Sequence, residues 1–194
     1  MAVRKPVQIG HPALKAKNEK IKDFSDQKLK KLIKDLKDTM IGAELIGLAA
    51  PQIAENYTVF VTQPRKTKSR AGVSDKFRVY INPKISYFSK DENIIFEGCG
   101  SVLNGQLFGP VKRPQEITIQ AYDQNGKKFQ LRCDGILARV IQHEYDHLSG
   151  VEFLEKVSDY KQMMAVDYYR KNIRESRDQV EASKITIVEF NYLD

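Results

Sequence analysis

The spacing of apolar and polar positions divides the chain into a few elements. Leu29, Leu32, Ile33, Leu36 and Met40 recur at three- and four-residue intervals among lysines and aspartates. This predicts an amphipathic helix over about residues 26–40, with Ser25 placed to cap it. β-Branched and aromatic residues crowd 57–62, 77–81 and 117–122, and each reads as a strand. Asn125-Gly126 favours a tight hairpin from the third strand into 128–131, so an antiparallel sheet follows. The polar stretch 63–76 reads as a mobile loop. After Gly135 the period changes: Ile136, Leu137, Val140, Ile141 and Leu148 run without Gly or Pro until Gly150, a helix stopped by its glycine. A further helix over about 159–183 and an alternating strand over 185–192 complete the chain. No repeat or linker interrupts this order, which predicts one α+β domain over residues 1–194, helices and antiparallel sheet segregated.

Composition adds limits. With 194 residues, 41% of them hydrophobic, the chain can bury a core without disulfides. Its first residues lack the apolar run of a signal peptide, and no stretch reaches the roughly 18 apolar residues of a membrane helix. Two cysteines, Cys99 and Cys133, suit a reducing compartment. A soluble, cytoplasmic protein without membrane contact is expected, an organelle being the other setting. The net charge of +7 favours polyanions. No zinc-finger, RNA-binding or helix-turn-helix pattern accompanies it, so a transient ribosome contact is expected and specific DNA recognition is not.

The candidate chemistry lies in the second helix. Two of the three histidines frame His143-Glu144-Tyr145-Asp146-His147. Four-residue spacing sets both imidazoles on one helix face, able to converge on a metal with Glu144 alongside. A catalytic site usually takes three protein ligands and leaves a position for water. Cys99, in Glu97-Gly98-Cys99-Gly100-Ser101, is the natural third donor, whereas Cys133 reads as a small buried hydrophobe. A third segment, Leu45-Ile46-Gly47-Leu48-Ala49-Ala50-Pro51-Gln52, is small and apolar and ends in an amide.

Together, in order and separation, these three segments resemble the peptide deformylase family, with its glycine-apolar-glycine-apolar-Ala-Ala-x-Gln, Glu-Gly-Cys-Leu-Ser and His-Glu-x-x-His patterns. The likeness runs over roughly residues 7–155. It implies an antiparallel sheet packed around a central metal-binding helix, and a hydrolase that frees formate from the formylmethionine of nascent polypeptides. Cys99, His143 and His147 would hold one divalent metal, typically Fe2+ with Zn2+, Ni2+ or Co2+ able to replace it. Glu144 would be the acid-base group, with Gln52 and the Gly100 N–H stabilising the oxyanion. By helical phase, Ile136, Arg139 and Val140 should line a methionine pocket with Ile46 and Ile95, the Arg139 guanidinium staying in water. Ile46 and Gly47 would make strand-like contacts with substrate, and a Glu97–Arg113 ion pair would brace the cysteine loop.

Two positions leave the family pattern: Leu45 stands for glycine and Gly100 for leucine. A leucine forced into positive φ at 45 would cost about 1–2 kcal/mol or move the backbone beside the substrate. Glycine at 45 would then be expected to improve substrate use. Rival readings are a zinc metallopeptidase drawing its third ligand from Glu152 or Glu155, a non-catalytic relative that binds metal or formylated peptide, and a basic RNA-binding module.

Overall fold

Helix α1 (Gln27–Gly42) is capped by Asp26 rather than Ser25 in the computed structural model, which describes residues 3–66 and 74–193. The Asp26 carboxylate accepts from Lys28 N at 2.8 Å, while the Ser25 hydroxyl turns back to Asp23 at 2.6 Å. The far end of α1 closes in a Schellman turn. Glu44 N donates to Ile41 O at 3.1 Å and Leu45 N to Met40 O at 2.9 Å, satisfying carbonyls that the helix leaves open. The left-handed residue of this turn is Glu44, at φ 56°, so the positive φ expected at Leu45 lies one residue earlier.

Two antiparallel sheets follow. The larger runs β1 (Gly47–Ala49), β2 (Val59–Thr62), β3 (Arg78–Phe88), β6 (Glu116–Tyr122), β7 (Lys128–Asp134) and β9 (Val188–Tyr192) in spatial order. The smaller holds β4 (Glu92–Gly98), β5 (Leu107–Pro114) and β8 (Met164–Ala165). Strand β3 continues well past residue 81, the end of the strand expected over 77–81. Asn82 sits at φ 49° with a register shift behind it, and its amide bonds both Ile21 N (3.0 Å) and Ile21 O (2.8 Å). A bulge absorbs Pro83 and the strand resumes. Strand β5 escaped the sequence reading because Gly109, Pro110 and Pro114 interrupt it. Of the expected loop 63–76, residues 67–73 lie outside the described residues.

Helix α2 (Gly135–Leu148) packs on one face of the large sheet, burying Leu137, Ala138 and Ile141 against Phe60, Tyr80, Ile117, Ile119, Phe129 and Leu131. Helix α1 covers the other face at the β1–β3 end, where Leu36 and Met40 meet Val59, Val61 and Ile81. Phe60 thus belongs to one core and its neighbours to the other, which is why β2 reads as an unbroken apolar run. Each such side chain contributes about 1.5–3 kcal/mol on burial. With this face of α2 committed to the sheet, the His143 side is left toward β4 and the cysteine loop.

The helix expected over 159–183 is not continuous. Residues 164–165 pair with β5, and two short helices follow, α3 (Val166–Asn172) and α4 (Arg177–Ser183). The break is local chemistry: Ile173 N and Arg174 N both turn to Tyr169 O at 2.9 Å, and Ser176 restarts the chain as the cap of α4. No helix among the described residues is long and apolar enough to cross a membrane.

Candidate metal centre

Cys99 leaves the end of β4 and meets α2. Its Sγ lies 3.3 Å from His147 Nε2, and the ligand atoms of Cys99, His143 and His147 all fall within 4.8 Å of one another. All three side chains are buried or nearly so. Burial, together with the nearby His143, holds the His147 pKa well below its ordinary value and keeps the ring neutral, the form that ligates. His147 Nδ1 is buried without a partner among the described residues. A thiolate and two imidazoles on converging atoms fit a divalent first-row ion with a coordination position to spare. Neither carboxylate offered by the peptidase reading joins this cluster, and Glu155 is engaged by Lys15 at 2.5 Å and by Glu152 N at 2.9 Å.

Glu97 ties the cluster to the fold. Its buried carboxylate accepts from His143 Nδ1 at 2.9 Å, Arg113 Nε at 2.8 Å, Arg113 Nη2 at 3.1 Å and Arg139 Nη1 at 3.1 Å. Burial opposes its charge, but Arg113 and His143 outweigh that cost and hold its pKa well below the carboxylate range. With Nδ1 so engaged, His143 has Nε2 left for a metal. Arg113 reaches onward to Asp146 at 2.6 Å. The Arg139 guanidinium is not in water as expected: the residue is 3% exposed and also donates to Val111 O at 2.9 Å and Asn93 O at 3.1 Å. Helical phase places a side chain on a face, but β4 and β5, which cover that face, are remote in sequence.

Glu144 stands beside the donors on α2. Burial pushes its pKa up to about 7 against the opposing pull of His143, and its Oε2 has no partner among the described residues. Gly47 makes room for it. A Cβ on Gly47 would lie 2.5 Å from Glu144 Oε1 and 2.5 Å from Val140 Cγ2, so any other residue there would push the Glu144 carboxyl and the Val140 side chain out of place. Gln52 sits in the turn after β1, where its Oε1 accepts from Ala49 N at 2.8 Å and its Nε2 faces Ser101 Oγ (3.3 Å) and Cys99 Sγ (3.5 Å). Cys133, by contrast, is buried on β7, and burial drives its thiol pKa up, out of thiolate chemistry.

A cleft of about 440 Å³ opens over this cluster, bordered by β1, β4 and α2. Ile46, Gly47, Ile95, Ile136, Arg139 and Val140 border it together with Gln52, Glu97, Cys99, Gly100, His143 and Glu144. The rest of its wall comes from the turn closing α1, including Leu45, from residues 104–106 and 108, and from a C-terminal side that includes Tyr169, Arg174 and Gln179. Three contributors went unseen in the sequence. Gln8 Nε2 donates to Gly100 O at 2.9 Å, Asp146 anchors Arg113, and Gln179 bonds Phe96 N and O at 3.0 and 3.2 Å. Asp146 could have been suspected from its place between the histidines. Gln8 and Gln179 are single amides in segments with no pattern.

Two imidazoles and a cysteine sulfur converging beside a buried glutamate at the head of a cleft define a metal-dependent hydrolase. The model of the family described as "Polypeptide deformylase" matches residues 3–163. Among curated proteins, a peptide deformylase of Treponema pallidum is 36% identical over 161 residues, covering 83% of this chain and 92% of its own. Peptide deformylase 2 of Clostridium perfringens is 38% identical over 164 residues, covering 84% and 99%. Among solved structures, a class I type b peptide deformylase of Acinetobacter baumannii with Met-Ala-Ser bound superposes at a TM-score of 0.75 and 26% identity, covering 80% of this chain and 99% of its own. The chain belongs to the polypeptide deformylase family, enzymes that remove the formyl group from the N-terminus of new polypeptides. Membership implies a catalytic divalent metal, and the Cys99, His143 and His147 cluster fits one.

Proposed function

We propose that this chain deformylates nascent polypeptides beginning in formylmethionine, with Cys99, His143 and His147 as metal ligands and Glu144 as the acid-base group. The observation that carries this reading is the buried, half-unpartnered Glu144 carboxyl beside the three donors. When bound, a divalent cation supplies Lewis-acid polarisation and acidifies a water. Glu144, with a pKa near 7, is suited to take a proton during attack and return it to the leaving amine. Gln52 Nε2 and the Gly100 N–H are the donors offered to the oxyanion that develops on the formyl carbon. The Gly100 N–H makes no bond among the described residues, whereas its carbonyl is held by Gln8.

The methionine side chain would occupy the apolar part of the cleft formed by Ile46, Ile95, Ile136 and Val140. The following residues would run along the edge of β1 at Gly47. The Acinetobacter relative has been solved with the tripeptide Met-Ala-Ser bound. Fe2+ is the metal proposed for the cell, on the family resemblance; the ligand types themselves would accept several first-row ions. The reading places the protein in the cytoplasm as one catalytic domain meeting chains at the ribosome, a contact its net charge of +7 would favour.

The test is formate release from a formyl-methionyl-alanyl-seryl peptide after anaerobic reconstitution with Fe2+, repeated with Zn2+, Ni2+ and Co2+. Release with at least one ion is expected, fastest with iron. Peptide binding without release under every ion would establish the non-catalytic reading instead.

A further inference from the structure

The two positions that leave the family pattern meet each other in the wall of the cleft. A Cβ on Gly100 would lie 3.0 Å from Leu45 Cδ1, 3.5 Å from Leu45 Cδ2 and 3.8 Å from Pro6 Cγ. The leucine that the pattern places after the metal cysteine would therefore drive its outer carbons into Leu45. Were residue 45 the pattern's glycine instead, the space over Gly100 would have nothing to fill it from that side. Leucine and glycine have exchanged places across one contact, keeping a single isobutyl group in it.

Both partners are held from behind. Leu45 is fixed through its backbone by the Schellman turn of α1, its N–H on Met40 O, and its side chain packs with the α1 core. Gly100 is held on its carbonyl side by Gln8 Nε2 at 2.9 Å, and the next carbonyl, that of Ser101, takes Ile9 N at 2.7 Å. On its Cα side the nearest contact is Leu45. Glycine has the widest choice of backbone conformations, so a glycine peptide that must keep one N–H direction depends on what packs against it.

We infer that Leu45 is a positioning residue for Gly100. From the end of α1 it supplies the wall that residue 100 would otherwise supply from the cysteine loop, and so holds the Gly100 peptide in place for the reaction. This rests on the role given to the Gly100 N–H under the proposed function.

The test is a cycle of four proteins, wild type, Leu45→Gly, Gly100→Leu and the double variant, with metal content matched, read in kcat, KM and melting temperature. An oxyanion donor acts in the transition state, so misplacing it lowers kcat, with kcat/KM falling alongside. Leu45→Gly is expected to lose about tenfold in kcat, short of the full loss of such a donor. Gly100→Leu should lose at least as much, and the double variant should return to within about threefold of wild type, the coupling expected of residues in contact. Leu45→Met, flexible and apolar, should retain near-native kcat. Should Gly100→Leu fail to fold alone, folding of the double variant shows the coupling, and Gly100→Ala with Leu45→Ala supplies the kinetic cycle. Single losses that simply multiply would overturn the inference, as would coupling seen in melting temperature but absent from kcat. A wild type that releases no formate with any metal would sink the deformylase reading and this inference with it, whereas an active wild type with uncoupled variants sinks this inference alone.

Discussion

The carboxylate of Glu97 lies 2.9 Å from Nδ1 of His143 and also receives Arg113 and Arg139, so one buried anion orients a proposed metal ligand and faces two buried cations. Partners of this kind typically change metal affinity about 10- to 100-fold when removed. Glu97→Gln is expected to weaken metal binding by that amount in competition with a chromogenic chelator. It should also destabilise the fold by about 3 kcal/mol or more, because the buried Arg139 loses its counter-ion and Arg113 keeps only Asp146. Unchanged affinity would show that His143 is oriented without Glu97.

Alanine at Cys99, His143 or His147 should each abolish stoichiometric metal, because a three-donor site depends on every donor. Metal analysis of purified variants reads this directly. A Cys99→Ala protein that kept a full equivalent would point to a carboxylate in the third position and to a different site.

Glu144→Gln should keep its metal and lose about 10²- to 10⁴-fold in kcat, the usual range for a proton-transfer group. Near-native turnover would exclude Glu144 from the chemistry.

The same substitution has an opposite effect on the metal-free fold. Burial raises the Glu144 pKa to about 7 from the ordinary 4.5, so the native state holds a proton that the unfolded chain has released between these values. Stability therefore falls as pH rises through this window and is fully present only below it. Above pH 7 the buried charge costs up to about 3 kcal/mol, and Glu144→Gln should recover much of it. Denaturant melts of both metal-free proteins at pH 5 and pH 8 should show the variant's relative advantage growing with pH. Glu97 runs the other way, its depressed pKa adding stability that is lost as pH falls below the carboxylate range, but it is common to both proteins. A pH-independent difference between them would mean that Glu144 is ionised in the fold at no cost.

Gln179 lies beyond the matched residues 3–163, yet its amide pairs with both backbone groups of Phe96 on the open edge of β4, between Ile95 and Glu97. Gln179→Ala should destabilise by about 1–3 kcal/mol, since it leaves part-buried backbone groups without partners. Metal stoichiometry should be unchanged. Urea unfolding beside metal analysis separates these outcomes, and an unaltered midpoint would make the C-terminal helix a bystander.

Much of the site was legible along the chain because its chemistry is local. His143, Glu144 and His147 share one helix face by periodicity alone, the glycines around Cys99 mark a loop, and the alternation of Ile117 to Ala121 and Phe129 to Cys133 sets an antiparallel pair. What the linear pattern could not decide is where remote segments meet. The charge on Arg139 looked bound for water until β4 and β5 covered it, and a helix over 159–183 looked continuous until Tyr169 O and the Ser176 cap divided it. Leu45 and Gly100 are the sharpest case. Taken singly, each is a departure with a cost, and only their contact across 55 positions of sequence turns the two into one conserved volume. Periodicity reports which face a residue occupies, and packing density, which is a property of the folded interior, decides what that face must accommodate.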